Sequence, residues 1–123
     1  MKAFKLFALL MIVGVFVTSC GDDDSTAPVV TISSPANGAN FLTGDVVTFE
    51  STITEDTKLS LIKLTSDLGL DESITQFNSD TNHNGNYNIT IDSNTVAGSY
   101  SIVLTATDDA GNVGSDQVEV NVQ

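Results

Sequence analysis

The chain has 123 residues, of which 16 are acidic and four are lysine, and its formal net charge of −12 disfavours contact with the phosphate backbone of nucleic acids. Its one Cys excludes both an internal disulfide and a zinc site of several thiolates, and its one His removes most catalytic constellations. The length is that of a single domain of ~100–150 residues. We therefore predict one small acidic domain without a nucleic-acid partner.

Residues 1–19 have the three regions of a secretory signal peptide. A basic start precedes an apolar run at residues 6–17, which is shorter than the ~20 residues of a membrane-spanning helix. Residues 17–20, Val-Thr-Ser-Cys, resemble the lipobox of bacterial lipoproteins, in which an aliphatic residue and two small residues precede the acylated cysteine. The resemblance implies cleavage before Cys20, palmitate on Cys20 and membrane attachment through that lipid. A signal peptide cut elsewhere, with a free cysteine, is the alternative.

Residues 20–27 read as a short leash in which Asp22, Asp23 and Asp24 closely follow the cysteine. High charge and low hydrophobicity predict that the leash is disordered. The acidic triplet resembles the export signal of surface lipoproteins in Bacteroidota-type bacteria. It implies a lipid-anchored protein of the outer membrane that is exposed at the cell surface, with the periplasmic face of that membrane as the alternative location.

From Pro28 onward, apolar residues recur with the period of two that is typical of half-buried β-strands. The pattern predicts seven strands, at residues 29–33, 46–54, 59–66, 73–77, 87–91, 100–106 and 118–122. Leu61 breaks the alternation and predicts a β-bulge near the start of the third strand. Residues 28–123 are thus predicted to form an all-β, seven-stranded, immunoglobulin-like Greek-key β-sandwich, since an up-and-down barrel is less compatible with such unequal loops.

Two stretches resemble bacterial immunoglobulin-like domains of the Ig-like, PKD and cadherin-like kind. Residues 98–112 resemble the hairpin of the last two strands, in which a Tyr follows a turn Gly and an Asp-x-Ala-Gly-Asn turn enters the final strand. Residues 30–38 resemble the first strand and its loop. Such domains occur in surface lipoproteins, adhesins and appendages of glycan enzymes. The resemblance therefore implies a fold, within a family of unknown function, and no activity.

Three residues of this hairpin are expected to have structural roles. The hydroxyl of Tyr100, at the start of the sixth strand, is predicted to bond to the backbone of residues 93–98, as in a tyrosine corner. Gly98 and Gly111 are predicted to adopt a positive φ, the first in this corner and the second in the last turn.

Half of the carboxylates are predicted to gather at one end of the sandwich, because the chain entry and the loops after the second, fourth and sixth strands share that end. Carboxylates that repel one another invite a hard divalent cation with oxygen ligands. Asp80 also opens a D-x-N-x-N-G sequence, the first half of a calcium loop, although the twelfth position is Ile91 rather than Glu, and Asn84 with Gly85 also fits a hairpin turn. The predicted ligands are Glu55, Asp56, Asp80, Asp108 and Asp109. Calcium is the candidate cofactor, solvated loops are the alternative, and the fold requires no cofactor.

The sequence argues against an enzyme. His83 is predicted to lie in a solvated loop, and no G-x-S-x-G sequence or second Cys supplies a nucleophile. Paired carboxylates would need a cleft around a sugar, for which so small a sandwich has little room. The expected function is a non-catalytic binding or accessory module for a glycan or a surface protein, with Phe41, Phe77 and Tyr87 as candidates for sugar stacking. A structural spacer or minor subunit of a surface complex is the alternative.

Overall fold

The computed structural model describes residues 24–123, which fold into two packed β-sheets. The strands in chain order are β1 (Val29–Ser34), β2 (Ala39–Phe41), β3 (Val46–Thr54), β4 (Leu59–Ser66), β5 (Leu70–Ile74), β6 (Asn82–Thr90), β7 (Gly98–Asp108) and β8 (Val113–Val122). One sheet has the order β1-β3-β6 and the other β2-β8-β7-β4-β5. The predicted all-β sandwich is confirmed. The predicted signal peptide, Cys20, Asp22 and Asp23 lie outside the described residues.

The core lies between the inner faces of the two sheets. Every second residue of β3 is buried, from Val47 through Phe49 to Ile53, as the period of two predicts. These side chains pack with apolar side chains of β4 and β7, among them Leu64 and Leu104. Burial of one such side chain contributes about 1.5–3 kcal/mol. Within residues 24–123, no helix is long and apolar enough to cross a membrane.

The described chain has eight strands rather than the predicted seven. The additional strand is β2, which follows the cis peptide bond between Ser34 and Pro35 and pairs in parallel with β8. The fourth predicted strand begins earlier than expected, because Gly69 with a φ of 92° allows a tight turn after β4. β5 consequently pairs with β4. The register shift between Leu59 and Leu61 confirms the predicted bulge.

β6 begins five residues before the strand predicted there, so the D-x-N-x-N-G sequence runs into a strand instead of forming a calcium loop. The tight turn falls at Asp80 and Thr81 rather than at Asn84 and Gly85. His83 and Gly85 face the core opposite Ile53 and Ser51, while Asn84 between them and Asn86 after them are exposed. The expectation of a solvated His83 is therefore wrong, because its side chain is only 9% exposed. The first half of β6 alternates between buried and exposed residues, but its buried residues are His83 and Gly85. Because neither is an apolar side chain, a search for apolar residues at every second position does not find this part of the strand.

Antiparallel pairing sorts the connections into two ends of the sandwich. The entry end comprises the chain entry at residues 24–28 and the connections 55–58, 75–81 and 109–112, and the far end comprises the connections 42–45, 67–69 and 91–97. The acidic loops singled out from the sequence thus share the entry end.

Candidate metal centre at the entry end

Three carboxylates converge at the entry end. Oxygen atoms of Asp24, Glu55 and Asp108 all lie within 4.8 Å of one another. They come from the chain entry, from the residue after β3 and from the last residue of β7, three segments that are distant in sequence. Glu55 is only 8% exposed and Asp108 only 2%, so both carboxylates are largely removed from water.

Asp108 is held by the turn that follows it. Its Oδ1 accepts a hydrogen bond from the backbone N–H of Asn112 at 2.8 Å, and its Oδ2 accepts one from Asn112 Nδ2 at 2.9 Å. Asn112 Nδ2 also donates to the backbone carbonyl of Asp24 at 2.8 Å. The turn closes through Gly111, whose φ of 91° favours glycine. The same turn therefore positions Asp108 and fastens the entry segment.

Glu55 is held by the loop that it begins. Its Oε1 accepts hydrogen bonds from the backbone N–H groups of Asp56 and Thr57, both at 3.0 Å. Thr57 Oγ1 lies 2.7 Å from Asp24 Oδ2 and 3.2 Å from Glu55 Oε1, so its single proton can serve only one of these acceptors at a time. Glu55 Oε2 is buried and has no hydrogen-bond partner among the described residues.

The entry segment reaches the cluster by crossing closely over the start of β8. A Cβ placed on Gly114 would clash with the carbonyl oxygen of Pro28, so any larger residue would displace this backbone. Beyond the crossing, the N–H of Thr26 donates to Asp24 Oδ1 at 2.9 Å. The expectation of disorder throughout residues 20–27 therefore does not hold at Asp24.

The two buried carboxylates differ in acidity. Burial, with a smaller contribution from the Asp56 side chain, raises the pKa of Glu55 above its usual 4.5 despite the hydrogen bonds that it accepts. Burial also acts to raise the pKa of Asp108, but hydrogen bonds, chiefly from Asn112, outweigh it, and the pKa falls below the usual 3.8. In the described part of the chain both lysines form ion pairs with other carboxylates, Lys58 with Asp109 beside the cluster and Lys63 with Asp71. The cluster is thus anionic, with only oxygen ligands, as hard cations prefer.

Two of the five ligands predicted from sequence, Glu55 and Asp108, belong to this cluster. The side chains of Asp56, Asp80 and Asp109 are exposed and lie outside it. Asp24 was expected at this end of the sandwich, but its position in the sequence does not predict that it contacts Glu55 and Asp108. That contact depends on the crossing over Gly114, which apolar periodicity does not reveal.

The three residues expected to have structural roles lie in β7 and in the turn after it. The Tyr100 hydroxyl donates to the carbonyl of Val96 at 2.5 Å, which is the geometry of a tyrosine corner. The expectation of a positive φ at Gly98 is wrong, since this residue pairs with Val122 as an ordinary strand residue. The corner turns instead within residues 92–95, where Thr95 N–H donates to the Asp92 carbonyl.

Phe41, Phe77 and Tyr87, the candidates for sugar stacking, are half-buried and pack against the core. No aromatic side chain in residues 24–123 is exposed.

Comparison with known proteins places the chain in a family. Residues 18–123 match the family described as a domain of unknown function, DUF4625. The chain belongs to this family. The DUF4625 match covers the candidate metal centre together with Cys20, and no curated protein matches the sequence.

Solved structures show what fold this DUF4625 domain has. The fibronectin(III)-like modules of Clostridium thermocellum CbhA are 22% identical, with a TM-score of 0.57 over 76% of this chain and 94% of theirs. The BIgI domain of beta protein from S. agalactiae, solved bound to CEACAM1, is 21% identical, with a TM-score of 0.54 over 78% of this chain and 96% of that one. At these identities the likeness concerns the fold alone, which is immunoglobulin-like.

Proposed function

We propose that this DUF4625 chain is a lipid-anchored cell-surface protein whose immunoglobulin-like domain is a non-catalytic binding module for a protein partner. The observation that carries the proposal is the attachment of Asp24 to the entry end. Asp24 follows Cys20 by four residues, which span at most about 14 Å. With a lipid on Cys20, the entry end would therefore face the membrane and the far end would point away from it.

The far end has the chemistry of a contact surface. Leu42, Val46 and Val96 are exposed by 58%, 53% and 75%. The connections 42–45 and 91–97 that carry or flank these residues are joined by backbone hydrogen bonds between Gly44 and Ile91 and between Ile91 and Asp45. The far end therefore exposes apolar side chains on two connections that adjoin each other, and exposed apolar surface is a feature of protein interaction sites.

Charge and side-chain type favour a protein partner over a glycan. The far end carries Asp45, Asp67 and Asp92, and neither of the two lysines in the described part lies in its connections. A partner with a basic and partly apolar surface would complement it. Sugar binding commonly uses exposed aromatic rings, which residues 24–123 lack. A domain of the same fold, the BIgI domain, was solved with a protein bound to it.

The proposal is tested by cross-linking on intact cells that carry the full chain. A partner should be captured by the parent protein and lost in the far-end variants Leu42→Asp and Val96→Asp. Val29→Asp and Val113→Asp are the matched controls, because these valines are also exposed, by 60% and 56%, but begin strands at the entry end. These control variants should retain the partner, and high salt should weaken its capture.

Three outcomes would contradict the proposal. Binding of the full chain to a glycan array, without protein capture, would replace the protein partner by a sugar. Equal loss in the far-end and entry-end variants would reject the far end as the contact surface. A chain that captures neither sugars nor proteins would favour a structural spacer or a minor subunit of a surface complex.

A further inference from the structure

We propose that Asp24, Glu55 and Asp108 bind one calcium ion and that this ion fastens the entry segment to the sandwich. This inference does not depend on the proposed partner, because it concerns the opposite end of the domain.

The first observation is the convergence of the three carboxylates. Their oxygens lie within 4.8 Å of one another, and two oxygens on opposite sides of one calcium ion, each at about 2.4 Å, are separated by the same distance. Without a cation, three negative charges share a largely buried position, although the protein could relieve their repulsion by spreading the side chains into solvent. Contacts with Asn112 and Thr57 hold them together instead.

The second, independent observation is the unused ligand atom of Glu55. This side chain is more than nine-tenths buried, and its Oε2 has no hydrogen-bond partner among the described residues. A buried polar atom without a partner is costly, and such an atom in a native structure points to an ion or water that satisfies it. Because Oε1 is held by the N–H groups of Asp56 and Thr57, the carboxylate has a fixed orientation.

The ligand set favours calcium over magnesium. Calcium accepts six to eight oxygen ligands in flexible geometry, including carboxylates that bind through both oxygens, whereas magnesium requires a small, regular octahedron and retains several waters. Three carboxylates can supply up to five oxygens, because Glu55 Oε1 already accepts from two N–H groups, whereas an oxygen that accepts one hydrogen bond keeps a second lone pair. The three ligands come from three separate segments of the chain, and the flexible coordination of calcium tolerates such an irregular set.

Because Asp24 lies in the entry segment, an ion bound there would tie that segment to the domain. Glu55 and Asp108 are fixed to β3 and β7, whereas Asp24 belongs to the segment that leads back to Cys20. An ion shared by all three residues joins that segment to both sheets. Calcium thus sets how firmly the domain is held at its attachment point.

The test is thermal unfolding of the full chain, purified in detergent and followed by circular dichroism with calcium, with magnesium or with EDTA. At a calcium concentration about 100 times the dissociation constant, the melting temperature of a domain of this size should rise by about 10 °C or more. Glu55→Gln should abolish the rise while it keeps an acceptor for the N–H groups of Asp56 and Thr57. Asp80→Asn is the matched control, since it removes the same charge from an exposed residue at the same end whose side chain lies outside the cluster, and it should retain the rise.

Amide hydrogen exchange of residues 24–27 tests whether the ion fastens the entry segment. Calcium should slow this exchange at least tenfold in the parent chain and leave it unchanged in Glu55→Gln and Asp24→Asn. A parent chain without a thermal shift would overturn the ion site, as would a shift lost equally in Asp80→Asn. An equal shift with magnesium would overturn the assignment to calcium. A thermal shift without slower exchange would overturn the fastening role.

Discussion

The buried imidazole of His83 is only partly satisfied by its surroundings. Its Nε2 lies 3.3 Å from the Tyr87 hydroxyl, and its ring meets Phe77 edge-on with centroids 5.9 Å apart. Its Nδ1 is buried and has no hydrogen-bond partner among the described residues. Protonation would add a charge and a second N–H donor at this place, and burial accordingly lowers the pKa of His83 below its usual 6.5.

This lowered pKa predicts a pH dependence of stability. As the pH falls below 6.5, the unfolded chain takes up a proton on His83 before the folded chain does, so the free energy of unfolding should decrease until the lower, folded-state pKa is passed. In His83→Leu this decrease should disappear above pH 4.5, where most carboxylates are still ionised. Urea unfolding in EDTA at a series of pH values measures it. An unchanged slope in the variant would contradict the assignment.

Two glycines of the same hairpin should respond differently to alanine. Gly111 has a φ of 91°, where an L side chain is strained, and Gly111→Ala should lower the free energy of unfolding by about 1 kcal/mol or more. Gly98 has no positive φ, and a Cβ there would meet no atom within 4 Å. Gly98→Ala should therefore change the free energy of unfolding by less than about 0.5 kcal/mol. Urea unfolding of both variants provides the comparison. Equal losses in the free energy of unfolding would contradict the claim that Gly111 needs a positive φ and Gly98 does not.

At the scale of strands, the sequence reveals an element where the inward side chains are apolar. β3 alternates strictly between buried and exposed residues and is predicted with its observed bounds. β6 alternates equally well, but its first inward residues are His83 and Gly85, so only its second half is predicted. β2 has three residues and owes its pairing to β8, a contact that no local pattern encodes.

The sequence predicts where the candidate site lies but not all of its residues. Strand order places the acidic loops at one end, and this places Glu55 and Asp108 near each other. The selection of Asp24 over Asp56, Asp80 and Asp109 depends on which side chains point inward and on the path of the entry segment. Both are properties of tertiary packing, which a charge pattern does not contain.

The crossing of the entry segment over β8 gives a prediction at this scale. Gly114→Ala places a Cβ against the carbonyl of Pro28, which is backbone and cannot rotate away. We expect a loss of about 1–3 kcal/mol in the free energy of unfolding, as for overpacking, and faster amide exchange at Thr26. Ser115→Ala, at the exposed neighbouring position, is the control and should change neither quantity. An unperturbed Gly114→Ala variant would show that the segment does not pass so closely.

At the scale of the whole molecule, the proposed orientation depends on the lipid at Cys20, which precedes the described residues. We expect the parent chain to fractionate with membranes and to incorporate labelled palmitate. In Cys20→Ser the label should be absent, and globomycin should block cleavage only in the parent. Palmitate that remains in Cys20→Ser would remove the basis for the proposed attachment, whereas the fold and the carboxylate cluster would be unaffected.

The placement of the two tyrosines gives the molecule a pair of intrinsic optical probes. The chain contains no Trp, so ultraviolet emission comes from Tyr87 and Tyr100 without a stronger emitter to mask them. Tyr87 lies beside His83 within the sandwich, and Tyr100 is bound to the loop that carries Val96. We expect protonation of the imidazole to quench the emission of Tyr87, and binding at the far end to change the emission of Tyr100. Replacing either ring by phenylalanine separates the two signals without any attached dye.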